Sequence, residues 1–199
     1  MRTGATVLET ERLILRELTM DDLEAIAEMY ADQEVRRFFP EGTLTREETR
    51  EELEWFIHVH YVRYGFGLWA TVLKETGALI GRCGLLPWTI VPTVTPGITA
   101  LEPSDETPPE ADHLEVEVAY LLARPYWGKG LATEAALAIV AHAFERLQLS
   151  RLICLFEPEN LASANVARKI GMTYEKQVEL DGEALPLHSM TGRSVGRTA

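Results

Sequence analysis

Between a segment that alternates like a strand and one that repeats like a helix lies Trp127-Gly128-Lys129-Gly130-Leu131-Ala132. Two glycines at such a junction let an anion approach the main chain with no side chain in the way. Successive N–H groups point outward there, and the helix dipole adds positive potential. A pyrophosphate is the natural ligand, and Lys129 adds a cation nearby. An ordinary strand-to-helix turn uses glycines in the same way, so the turn alone leaves both readings open. It is not a Walker A loop, because the Gly-Lys-Ser/Thr ending is absent, and position 133 is Thr where Gly-x-Gly-x-x-Gly needs glycine. His58 and His60 stand two apart on a helical pattern, which does not put them on one face, so no metal pair is expected. Glu47, Glu48, Glu51, Glu52 and Glu54 read as a solvated helix face.

The elements that must hold this turn follow from periodicity. Leu8 to Leu18 alternates with strand period, Leu13 and Leu15 pointing one way and Arg12, Ile14 and Arg16 the other. Thr19-Met20-Asp21-Asp22 is a helix-start signal, and Leu23, Ile26, Ala27 and Tyr30 follow at helical spacing. Thr45-Arg46-Glu47-Glu48 opens a second helix with a capping pattern, ended by Gly65 and Gly67. Leu68 to Leu73 and Leu79 to Leu86 read as a hairpin around Lys74-Glu75-Thr76-Gly77. From 87 to 112 the prolines at 92, 96, 103, 108 and 109 exclude regular helix or central strand, so a long inserted loop is expected. Leu114 to Leu122 is a strand, Thr133 to Leu147 a helix and Arg151 to Phe156 a buried strand. A helix over Ala162 to Ile170, closed by Gly171, precedes two strands, Thr173 to Leu180 and Ala184 to Met190, joined by Asp181-Gly182. The tail from Thr191 is polar and expected to fray.

The 199 residues suit one domain with a core over about 8–190, and the 46% hydrophobic and 25% charged residues are an ordinary globular balance. A formal charge of −12 argues against non-specific nucleic-acid binding and tolerates a cationic acceptor. No run of apolar residues is long enough to span a bilayer, and residues 1 to 5 lack a signal-peptide core, so a cytoplasmic protein without membrane association is expected. Cys83 and Cys154 sit far apart in apolar runs, where buried reduced thiols are the default.

Four segments in order carry a family resemblance. Glu117-Val118-Ala119-Tyr120-Leu121-Leu122 with Pro125-Tyr126-Trp127-Gly128-Lys129-Gly130-Leu131-Ala132-Thr133-Glu134-Ala135 resembles the central motif of the GCN5-related N-acetyltransferases. The run from Glu9 to Arg16 is similar to the opening strand of the branch that modifies protein N-termini in bacterial ribosomes (the RimJ/RimL-like branch). Leu79 to Leu85 is similar to that branch's third-strand segment. Asn160-Leu161-Ala162-Ser163 with Lys169-Ile170-Gly171-Met172 resembles the family's Asn-x-x-Ser and Lys-x-Gly-Phe pattern. The resemblance implies a mixed α/β GNAT fold: a central, splayed, mostly antiparallel sheet of about six or seven strands flanked by about four helices. It implies acetyl-CoA as co-substrate, no metal, and a monomer or homodimer. Pantetheine would pair with the main chain near Tyr120, Leu121 and Leu122 as an added strand does. The pyrophosphate would rest on the amides from Gly128 to Thr133, with Asn160, Ser163 and Lys169 reaching toward the coenzyme. Phe38-Phe39-Pro40 and the second helix with its following loop would line the acceptor groove.

Amine acylation needs a base for the amine, a donor for the oxyanion and an acid for the leaving thiolate. Glu117, matching a family glutamate, is the candidate base; Glu115, two residues earlier on the same face, is its rival. Many relatives place a tyrosine acid where this chain has Arg168, which leaves Ser163 and Tyr120 as candidate acids. The expected activity is acetyl transfer to a primary amine, either a protein N-terminus or a small amine. The alternative is a non-catalytic acyl-CoA-binding or sensing module.

Overall fold

Leu13 and Leu15 are fully buried while the residues between and beside them are not, which is what period-two alternation requires of a strand covered on one face. The computed structural model describes residues 4–92, 99–103, 114–180 and 183–192. The opening segment folds not as one strand but as a short antiparallel pair, β1 (Thr6–Glu9) and β2 (Leu13–Glu17). The chain turns between them, with Thr10 N donating to Leu13 O.

α1 (Leu23–Tyr30) and α2 (Gln33–Arg36) follow. α3 (Arg46–Trp55) starts where the capping pattern places it: Glu48 N donates to Thr45 Oγ1 and Thr45 N to the Glu48 carboxylate. The rod continues through a π turn over Phe56–His60 into α4 (Tyr61–Tyr64) and stops at Gly65, which is left-handed at φ 71°. β3 (Leu68–Leu73) pairs antiparallel with β2 and with β4.

β4 overturns the expected boundary. It runs Leu79–Pro92, and its second half pairs with a further strand, β5 (Thr99–Pro103), inside the segment expected to be a loop. The reason lies in where the prolines fall. Leu85 N still reaches Gly67 O, so the missing N–H of Pro87, two residues on, faces the gap between the last β3 pair at Gly84 and the first β5 pair at Trp88. Pro92 and Pro103 take the terminal pairs of their ladder. Each proline therefore removes few donors that the sheet needed. Residues 93–98 and 104–113 of the expected loop lie outside the described residues, as do Asp181-Gly182 and the tail beyond 192.

β6 (Leu114–Leu122) lies antiparallel along β4 over nine paired positions. α5 (Leu131–Glu145) begins two residues earlier than the periodicity suggests, and its Leu137 is exposed rather than in the apolar stripe. β7 (Arg151–Leu155), α6 (Leu161–Lys169), β8 (Thr173–Leu180) and β9 (Glu183–Thr191) complete the chain. β7 pairs with β9 and β9 with β8, both antiparallel.

One mixed α/β sheet of nine described strands results, two more than expected because the opening strand is divided and β5 is added. Two helical layers cover it. Leu131, Ala135, Ala136, Ile139, Val140 and Ala143 of α5 pack on Leu13, Leu15, Cys83, Leu85, Val116 and Val118. Ile26, Met29, Tyr30, Leu53 and Phe56 of the early helices pack on the opposite face over Leu68 and Ala70. β6 and β7 are parallel, and their ladder is limited to Glu117↔Ile153. Because β5 also pairs with β8, at Ala100↔Glu179, the strands β4, β5, β8, β9, β7 and β6 close on themselves. Ile153, Val178 and Leu187 fill this closed end, with Trp88, Ile90, Leu155 and Leu180 against them.

Candidate active site

Where the ladder between β6 and β7 stops, a cavity of ≈ 490 Å³ opens. Glu117, Ala119, Tyr120 and Leu121 of β6 form one wall, Leu155, Phe156, Glu157, Asn160 and Ser163 another, and Arg36, Phe38, Phe39, Pro40, Glu52, Trp55 and Arg82 a third. The splay thus brings the candidate base, both candidate acids and the expected acceptor-groove residues to one space.

Glu117 is 9% exposed. Trp88 Nε1 donates to its Oε2 at 2.8 Å and Leu155 N to its Oε1 at 3.4 Å. Burial pushes its carboxyl up to about 7, and the two N–H donors and the more distant Arg82 restrain the rise. Glu115 is also buried but is clamped by Arg151, whose Nε lies 2.9 Å and 3.2 Å from its two oxygens. The two carboxylates are thereby told apart: one is held in an ion pair, the other is poised to exchange a proton near neutrality.

Tyr120 donates its hydroxyl to the main-chain oxygen of Ser163 at 3.0 Å, and burial raises its pKa far above the usual phenol value. Asn160 is the N-cap of α6, its Oδ1 accepting from Ser163 N at 3.1 Å. That bond aligns the first turn of α6 with the cavity. Leu121 lines the cavity, whereas Leu122 is buried and its carbonyl accepts from Trp127 Nε1 at 2.7 Å.

After β6 the chain makes one 3-10 turn over Arg124–Tyr126 and then the glycine turn. Gly128 and Gly130 have φ of 72° and 77°, a region where side chains are strained. A Cβ on Gly128 would meet nothing within 4 Å, and one on Gly130 only Arg12 Nη2 at 3.7 Å. Open space, not tight packing, surrounds both. Gly130 caps α5, and the first helical bond is Glu134 N to Gly130 O, so the amides of Leu131, Ala132 and Thr133 have no acceptor within the helix. Gly128, Lys129 and Gly130 are exposed; Ala132 and Thr133 are half-buried. The residues present therefore fit a diphosphate. Lys169 is exposed in the last turn of α6, away from the cavity wall.

Several residues that build the site were not singled out in the sequence. Arg12 donates from Nη1 to Lys129 O at 3.0 Å and from Nε to Glu134 Oε2 at 2.6 Å, which fastens the start of β2 to the glycine turn. Trp88 lies in the proline-rich segment and so offered no strand signal. Glu52, expected on a solvated face, instead turns inward, accepting from Tyr30 Oη at 2.8 Å. His58 is exposed and His60 is fully buried, its ring nitrogens without hydrogen-bond partners among the described residues. No helix among the described residues is long and apolar enough to cross a membrane.

The chain belongs to the GNAT acetyltransferases: the model of the acetyltransferase (GNAT) domain matches residues 12–173. The Bacillus subtilis protein YkkB is 30% identical over 87% of this chain and 88% of its own length. An acetyltransferase from Agrobacterium tumefaciens superposes with a TM-score of 0.70 at 27% identity, covering 96% of this chain and 94% of that one. RimL, a ribosomal alpha-N-protein acetyltransferase solved with coenzyme A, shares the fold at a TM-score of 0.70 and 16% identity, over 94% of this chain and 98% of its own.

Proposed function

We propose that the protein transfers the acetyl group of acetyl-CoA directly to a primary amine. The observation that carries this reading is Glu117: a buried carboxyl with no ion pair among the described residues, pushed up to about 7, on the cavity wall where β6 and β7 part. A base of that strength accepts a proton from an ammonium group, directly or through one water, and returns it to solvent near neutral pH.

The donor supplies the acyl carbon and a thiolate leaving group. The amides of Leu131, Ala132 and Thr133 and the Lys129 ammonium hold its diphosphate, and the main chain of β6 near Tyr120 and Leu121 orients its pantetheine. As the amine attacks, Glu117 removes its proton and a main-chain N–H of β6 faces the developing oxyanion. Ser163, at the start of α6, donates a hydrogen bond to the departing thiolate, which takes up the proton that Glu117 removed from the amine; Tyr120 holds the Ser163 main chain in place and is the alternative donor. A cytoplasmic setting, where acyl-CoA and reduced thiols coexist, suits this chemistry and the two buried free cysteines.

Purified protein, acetyl-CoA and a panel of primary amines and N-terminal peptides, followed by thiol release, test the proposal. Turnover with at least one amine is expected. Measurable coenzyme A binding with no thiol release across the panel would replace the enzyme with an acyl-CoA sensor.

A further inference from the structure

Two guanidinium groups share one cavity wall, Arg36 from α2 and Arg82 from β4. Arg36 and Arg82 have side chains only 2% and 8% exposed. Aromatic rings flank both: Arg36 Cζ lies 5.0 Å from the Tyr30 ring centre and 4.4 Å from that of Phe39, and Arg82 Cζ lies 5.4 Å from that of Tyr30 and 5.5 Å from that of Phe56. Aromatic neighbours accept no in-plane hydrogen bond through their rings, so the guanidinium N–H groups must find oxygen partners at their edges.

Those edges are under-used. Arg82 donates from Nε to Tyr30 Oη and makes no other hydrogen bond among the described residues; the nearest carboxylate oxygen, Glu52 Oε1, is 3.6 Å from its Nη2. Arg36 donates from Nε to Gly42 O at 2.5 Å and from Nη2 to Glu41 Oε2 at 3.3 Å, while Glu52 Oε2 is 3.8 Å from its Nη1. Glu41 is 60% exposed, so its share is screened by water. Among the described residues Glu52 is the carboxylate that lies between these two buried cations, and at 3.8 Å and 3.6 Å it is too distant from either for a good hydrogen bond, while Glu117 acts on Arg82 only from farther off. Buried charge of one sign without matched hydrogen bonds is costly, and a carboxylate arriving from the cavity removes that cost.

We propose that the acceptor is amino-acid-like: a primary amine that also carries a carboxylate, which Arg82 and Arg36 receive. This deepens the acetyltransferase reading and rests on it. The sheet register supports the pairing of ends. Arg82 opposes Leu121 and Leu86 opposes Glu117, so Arg82 and Glu117 share one face of the sheet, four residues apart along β4. That is about 13 Å along the strands and about 5 Å across them between main-chain positions, which the two long side chains shorten from both ends. One molecule can present its amine to Glu117 and its anion to the arginines.

Matched pairs test this without relying on a variant. The common L-amino acids and their carboxamides are compared as acceptors by thiol release, and as ligands of the coenzyme-A-saturated protein by calorimetry. For the best acceptor, the amide is expected to raise KM about tenfold or more with a smaller change in kcat, as loss of binding common to ground and transition states predicts. Arg36→Gln, checked for folding by circular dichroism, should bring the acid-to-amide ratio toward one. Amides that serve as well as acids would overturn the proposal and leave the two arginines as internal structural cations. If none of these probes is turned over, the catalytic reading still stands or falls on the wider panel of amines and peptides, and calorimetry decides the site alone: tighter acids sustain it, and equal or absent heats sink it.

Discussion

Glu115 and Glu117 are the same residue type, two apart on one strand and both buried, yet among the described residues Glu115 alone of the two has a guanidinium within hydrogen-bond reach. Glu117→Gln should therefore lower kcat by about 10²–10⁴ while leaving coenzyme A affinity near its original value, and remove the limb of the pH–rate profile centred near pH 7. The same substitution makes a stability prediction. A carboxyl raised from 4.5 to about 7 on folding binds its proton more tightly in the native state, so native stability falls as pH rises from about 4.5 to about 7 and is flat above. The neutral amide escapes this loss. Glu117→Gln should gain about 3 kcal/mol over the native protein at pH 8, and none of that pH-dependent gain near pH 4, by urea unfolding. An identical difference at both pH values would mean the carboxylate is not buried in its charged form.

At the scale of elements, the glycine turn and the first turn of α5 act as one unit. The positive φ of Gly130 together with the open space around its Cβ position predicts that Gly130→Ala folds, at a cost of about 1–2 kcal/mol from backbone strain alone. If the diphosphate rests on this turn, coenzyme A affinity should fall more than that strain explains, because a methyl group would enter the open space beside the free amides; Gly130→Glu, adding a charge, should abolish binding. Calorimetry separates the two effects: an Ala variant that is destabilised but binds coenzyme A unchanged would place the diphosphate elsewhere. Most elements were legible in local patterns, because caps and periods are local. Thr45 with Glu48 marked the start of α3, Gly171 the end of α6, and the alternation of Leu13 and Leu15 the face of β2. β5 was not legible. Prolines argue against strands on average, and only the arrangement of neighbouring ladders reveals which missing N–H groups cost nothing.

Over the whole molecule, the same sheet carries two helical layers and closes at one end, so donor and acceptor walls come from segments far apart in the chain. A ligand that grips the start of α5 and the splay of β6 and β7 together should stabilise the fold as a unit. Coenzyme A at about a hundredfold over its Kd should add about 2.7 kcal/mol and raise Tm by roughly 5–10 °C. A Tm unchanged at saturating coenzyme A would contradict the site. The residue types at the glycine turn, the strand carrying Glu117 and the order of the elements are determined by the sequence itself, since each depends on neighbours within a few positions. Which glutamate is free, that Trp88 donates to it, and that Arg36, Arg82 and Glu52 face the same cavity were decided only by the tertiary structure. Burial and ion pairing join residues tens of positions apart, and no local pattern records which partners folding will bring into contact.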